Sequence, residues 1–248
     1  MRRLTAFLLA FAPPFALLFL PSPTWGGAQA YEPLSASVQA ALSEAISDHA
    51  APYLAFKTER EARVWLTAMS RRLARRMPER RLREEFLVTV HYEAKRAGLD
   101  PQLVLGLIQV ESNFRKYAVS RAGARGYMQV MPFWVKLIGQ RNHNLFHLRM
   151  NLRYGCVILR HYIDMENGNL FRALGRYNGS LGQAEYPNLV VRAWHNDWHY
   201  PVRPVEPASA ARTGAKDGAS ARFPHTGGSA ANVSARPAIG TPRADGGS

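Results

Sequence analysis

Seven stretches of this chain place apolar residues three and four positions apart, and no run alternates apolar with polar over the length of a strand. That period gathers apolar side chains on one face of a helix, so the sequence predicts an all-α fold. The stretches are punctuated as helices are. "TEREARVWLTAMSRRLARRM" sets Trp65, Met69 and Leu73 four apart and meets Pro78 just past its end. "RLREEFLVTVHYEAKRAG" closes on Gly98, a residue suited to stopping a helix. "LDPQLVLGLIQVESNF" opens with Asp100 at the N-cap position and Pro101 at the first helical position. "NLRYGCVILRHYIDMENG" and "NLFRALGRYN" each run into a glycine. "LSASVQAALSEAISDHAAPYL" precedes these helices and "EYPNLVVRAWHNDW" follows them.

The two ends of the chain read differently. Residues 1–30 have the form of an export signal: Arg2 and Arg3, the apolar run "LTAFLLAFAPPFALLFL", and the small-residue site "AQA". Pro13 and Pro14 interrupt the run, which disfavours a spanning helix, and no cysteine near the site supports a lipid anchor. The expectation is a cut after Ala30 and a periplasmic protein. From Pro201 to Ser248 the chain is rich in Ala, Gly, Ser, Pro and Arg, with Phe223 its only aromatic residue, and reads as a disordered tail. The expected layout is a signal (1–30), a helical N-terminal extension (31–84), a helical domain (85–200) and the tail (201–248). Without Arg2 and Arg3 the chain keeps 30 basic and 18 acidic side chains, a formal charge of +12. That excess favours polyanions, and export excludes nucleic acid in favour of envelope polymers and membrane surfaces. Cys156 is the only cysteine, so no internal disulfide exists, and its apolar setting marks it as core. The cluster Arg71, Arg72, Arg75 and Arg76 reads first as a solvated helix face and second as a contact for anionic glycan or lipid.

Glu111 is the acid that needs an explanation. It lies four residues past Leu107 and three past Ile108, on their apolar face. Apolar surroundings and the C-terminal end of a helix both favour its protonated form, and a protonated glutamate in a cleft is what a general acid requires. The remaining carboxylates between Leu99 and Tyr200 are Asp100, Asp164, Glu166, Glu185 and Asp197, and none has such a setting. Glycosidases usually set two carboxylates across one bond, so a substrate group has to replace the second here. The loop "AVSRAGARGYMQVMP", residues 118–132, adds Gly123 and Gly126 for tight backbone turns and Gln129 as an amide donor and acceptor.

Glu-Ser at a helix end, "AVSRAGARGYMQVMP", "NLRYG" and "ALGRYNGS", in this order, resemble the transglycosylase domain of the soluble lytic transglycosylases, over residues 85–195. The resemblance implies a lysozyme-like fold. By motif it makes Glu111 the single catalytic acid/base, Ser120 the serine that orients the sugar, Gln129 and Met131 residues of the glycan cleft, and Tyr177 and Asn178 the pair flanking the glutamate. The Tyr177 hydroxyl is then expected on Glu111 or on the substrate. Arg121 replaces a frequent proline and Tyr127 the usual leucine of "GLMQ"; Tyr127 is either a stacking surface or wall. Trp194 and Trp198 read as core before they read as platforms for sugars.

The implied reaction cleaves the β-1,4 bond between N-acetylmuramic acid and N-acetylglucosamine in peptidoglycan and closes a 1,6-anhydro ring without water. No metal or organic cofactor is implied. The rival readings are a goose-type lysozyme-like hydrolase using the same glutamate, and a non-catalytic peptidoglycan-binding protein.

Overall fold

The computed structural model describes residues 29–47 and 50–201. The predicted signal, apart from its last two residues, and the predicted tail after Pro201 lie outside the described residues. Among the described residues eight α-helices follow in order: α1 (Ala36–Ile46), α2 (Glu59–Leu73), α3 (Arg80–Arg96), α4 (Pro101–Ser112), α5 (Phe133–Ile138), α6 (Leu148–Met165), α7 (Leu170–Asn178) and α8 (Glu185–Arg192). A π-helical turn, Ala193–Trp198, continues α8. Among the described residues the only β pairing is two isolated bridges, Val119 with Arg125 and Arg125 with Val130, which fold the 118–132 loop back on itself.

The predicted punctuation is the punctuation found. Thr58 caps α2 and exchanges hydrogen bonds with Glu61 in a capping box. The Asp100 side chain accepts from the Gln102 N–H at 2.8 Å, with Pro101 opening α4. Gly98 and Gly179 adopt left-handed φ where α3 and α7 end. The short helix α5 has no counterpart in the predicted string; its six residues fall below the length at which a period is readable.

α4 is the central element. Leu105, Leu107 and Ile108 are fully buried, each contributing roughly 1.5–3 kcal/mol of apolar burial. α3 and α8 pack against it, and so does the π turn. The turn comes so close that a Cβ on Gly106 would lie 2.8 Å from the Trp194 backbone nitrogen. Trp194 donates its indole N–H to Asp100 at 2.9 Å, and the buried Trp198 donates to Gln109 at 2.9 Å. Both tryptophans therefore hold the start and the end of α4 to the π turn. Leu42 and Ile46 of α1 and Trp65, Met69 and Leu73 of α2 belong to the same core as the later helices. Cys156 is buried there, as its setting predicts, and burial pushes its thiol up.

Candidate active site

α4 ends at Ser112, and Asn113 adopts a left-handed conformation at its C-cap. This stop leaves Glu111 in the last turn, pointing inward at 8% exposure rather than frayed into solvent. Its Oε1 accepts a hydrogen bond from the Tyr186 hydroxyl at 2.5 Å. Its Oε2 is buried with no hydrogen-bond partner among the described residues. Burial raises the carboxyl pKa to about 8; the Tyr186 bond, which favours the ionised form, opposes that rise and is the smaller effect. At neutral pH Glu111 is mostly protonated, with one oxygen fixed and the other free to present a proton.

The 118–132 loop is pinned beside α4. Ser112 donates its hydroxyl proton to the Tyr127 carbonyl at 2.7 Å. Tyr177 of α7 donates to the Met128 carbonyl at 2.7 Å. Asn151 of α6 accepts from the Met128 N–H at 2.8 Å and donates to the carbonyls of Arg125 and Leu145 at 2.8 and 2.9 Å. Gly123 and Gly126 have φ of 87° and 77°, as the tight turns require. Gln129 also adopts positive φ, 47°, and its amide donates to Ala118 and Gly126 at 3.1 and 2.9 Å. The Ser120 hydroxyl accepts from the Ala124 N–H at 3.1 Å.

Residues 89–188 match the family described as Transglycosylase SLT domain. The chain is 33% identical over 130 residues to a membrane-bound lytic murein transglycosylase C of Histophilus somni, covering 46% of this chain and 34% of the relative. It is 46% identical over 129 residues to the protein of the same name in Haemophilus influenzae, again 46% of this chain and 34% of the relative. A transglycosylase of Enterobacteria phage PRD1 is 34% identical over 111 residues, 42% of this chain and 41% of that protein. The chain thus spans a third to two fifths of the length of these relatives. The all-helical architecture predicted for this segment is the one its residues adopt.

From Leu99 to Tyr200 the other carboxylates lie away from Glu111. Asp100 caps α4, Asp164 pairs with Arg160 at 2.6 Å, Glu166 is held by Arg172 and Arg176, and Asp197 accepts from Gln109 at 2.5 Å. Glu185 is exposed at the start of α8. Tyr186 is the residue sequence reasoning missed. Its apolar spacing with Val190 marks it only as a core residue of α8, and its partner lies 75 positions away.

Two expectations change. The Tyr177 hydroxyl is spent on the Met128 backbone, so it supports the loop rather than Glu111, although its ring lies close enough to Glu111 for the two to interact electrostatically. The Gln129 amide N–H groups are spent inside the loop, leaving its backbone carbonyl facing out. That carbonyl and the Met131 N–H grip one side chain: Gln29 donates to Gln129 at 3.1 Å and accepts from Met131 at 2.9 Å. Asn178 donates to Ser180 at 3.0 Å, while its Oδ1 is buried and unpartnered like Glu111 Oε2. Tyr127 is 7% exposed and lies against Phe86 at 4.9 Å between ring centres, so it is wall.

Proposed function

We propose that this chain is a lytic transglycosylase that cleaves the β-1,4 bond between N-acetylmuramic acid and N-acetylglucosamine in peptidoglycan, with Glu111 as its only acid/base. The observation that carries the reading is the state of Glu111: buried, protonated at neutral pH, one oxygen fixed by Tyr186 and the other without a protein partner. A buried polar atom left unpaired costs roughly 1–3 kcal/mol, so a substrate oxygen that pairs with it gains that much on binding.

The steps follow from one carboxyl group. Glu111 donates its proton to the glycosidic oxygen as the bond to the anomeric carbon breaks. The carbonyl oxygen of the substrate's own N-acetyl group attacks that carbon and takes the place of a second carboxylate. Glu111, now ionised, accepts the proton of the C6 hydroxyl. That oxygen closes on the anomeric carbon, expels the amide oxygen and leaves a 1,6-anhydro end. Water is not consumed, and the carboxyl group returns to its protonated form. Tyr186 keeps its hydrogen bond through both states and stabilises the ionised one. Ser120, Met131 and Asn178 line the cleft in this reading, with Gln129 contributing its backbone carbonyl and Tyr177 supporting the loop from below. The reaction needs no cofactor.

Export by the signal at residues 1–30 places the enzyme in the periplasm with its substrate, and none of the described helices is long and apolar enough to cross a membrane. A cut after Ala30 also removes Gln29 from the Gln129–Met131 backbone pair. N-terminal sequencing of the exported protein should begin at Tyr31; recovery of Met1 would refute cleavage. The activity is tested on purified sacculi: Glu111→Gln should lose at least about 100-fold in rate while keeping its fold, and retention of more than about a tenth would remove Glu111 from its role.

A further inference from the structure

A cavity of about 1090 Å³ opens beside the 118–132 loop and belongs to none of the residues assigned so far. Three cations line it, Arg125, Lys136 and Arg141, all exposed. No aspartate or glutamate is among its lining residues. Asn142 and Asn144 add side-chain amides, and Phe146 supplies an apolar wall under the Arg125 guanidinium, 6.0 Å from the ring centre. A concave site lined by one sign of charge focuses its field and concentrates counter-ions.

The position of this cavity relative to the cleft is fixed by buried bonds. Asn151 is fully buried and ties three backbone groups together: the Met128 N–H of the catalytic loop, the Arg125 carbonyl and the Leu145 carbonyl, the last two on the cavity wall. Pro132 lines the cavity and directly follows Met131 of the proposed cleft. A polymer lying in the cleft therefore brings its branches past Arg125, Lys136 and Arg141. In a peptide-bearing strand each lactyl carboxyl is taken up in the amide to its peptide, so the negative charge lies on the free carboxylates of the short peptide branches.

We propose that this cavity binds the carboxylates of the peptide branches and makes the enzyme prefer peptide-bearing strands to bare glycan. The inference rests on the peptidoglycan reading above. Asparagine amides donate to carboxylate oxygens, and arginine holds a carboxylate in two parallel hydrogen bonds. The neighbouring Phe146 offers the apolar part of a peptide a surface.

The test compares cleavage of peptide-bearing strands with cleavage of the same strands stripped of peptide by an amidase and then amidated at the lactyl carboxyl that the amidase frees, so that the bare strand carries no charge. It uses the full chain and its double variant Lys136→Ala/Arg141→Ala. Neither residue touches Glu111, so the rate on stripped strands should stay as in wild type. The wild-type preference for peptide-bearing strands should fall about three- to tenfold in the variant and should shrink with added salt. A second double variant, Arg71→Ala/Arg75→Ala, removes equal charge from an exposed face of α2 and its end, and should keep the preference. Unchanged preference in the first variant, or an equal fall in the second, overturns the proposal. Binding is read in parallel on the Glu111→Gln background by co-sedimentation with intact and stripped sacculi, where the same ratio should fall. A chain that cuts neither substrate thus refutes the proposed reaction while this readout still decides the cavity. Loss of binding to phosphatidylglycerol vesicles with the peptide preference intact would make the cavity a lipid site and overturn the proposal.

Discussion

Glu111 holds its proton because the last turn of α4 removes it from water, and this has consequences at two levels. The folded chain keeps a proton that the unfolded chain releases above about 4.5. Stability from this group therefore falls as pH rises from that value and levels off past about 8. Glu111→Gln removes the titration and keeps an oxygen for Tyr186. Its melting temperature should exceed that of wild type by a margin that widens from about pH 5 to about pH 8, on the order of a few kcal/mol at the upper end. Melting curves across that range check it, and a constant margin would refute the buried protonated state. The same titration sets the rate, since proton donation fails as Glu111 ionises, so cleavage should decline above about pH 8. Tyr186→Phe removes the bond that favours the ionised form. The alkaline limb of its pH–rate profile should move upward, with turnover reduced a few- to tenfold, as loss of about 0.5–1.5 kcal/mol of hydrogen bonding implies. Tyr177→Phe should behave differently. It strands the Met128 carbonyl in the core and should lower stability by about 1–3 kcal/mol without moving the pH profile, which denaturant titration and kinetics together distinguish.

At the scale of elements, several helices are legible because they carry their own start or stop signals. Asp100 with Pro101, Gly98, and Gly179 all act on backbone within a few residues of themselves, so local sequence reports them. Glu111 was legible for a related reason, since a carboxylate on an apolar face violates a local pattern. Tyr186 was not, because its role exists only once α8 has been laid across the end of α4. The sequence leaves the Tyr177 hydroxyl open to Glu111 or to substrate, and only the fold shows that it donates to the Met128 carbonyl. The loop shows the same division. Both glycines were expected to take positive φ and do, but their surroundings differ. A Cβ on Gly123 would meet open space, whereas one on Gly126 would lie 2.4 Å from Asn151 Nδ2 and 2.6 Å from the Leu145 carbonyl. Gly123→Ala should cost only the left-handed strain of about 1–2 kcal/mol. Gly126→Ala should cost clearly more and depress cleavage as well, because Asn151 must move and release the loop. Thermal melts of the two variants side by side check the order.

At the scale of the molecule, the helices before the SLT domain are part of what holds it. Glu93 of α3 is buried and pairs with Arg153 at 2.9 Å, Arg149 at 3.2 Å and Arg96 at 3.3 Å. The same arginines donate to the backbone carbonyls of Ala45, Ile46 and Ala50, so Glu93 and its arginines help fasten α1 to α3 and α6. Composition shows only a basic chain here; the cancellation of charge inside it depends on residues up to 60 positions apart. Glu93→Gln should take a buried charge away from Arg153, Arg149 and Arg96 together and lower stability by up to about 3–5 kcal/mol, read by denaturant titration. The reaction itself is tested most directly by mass spectrometry of the sugars released from purified sacculi by the wild-type chain and by Glu111→Gln. The wild type should release N-acetylglucosamine linked to 1,6-anhydro-N-acetylmuramic acid, and the variant almost none. Reducing N-acetylmuramic acid ends, or anhydro products from the variant at an undiminished rate, would contradict it.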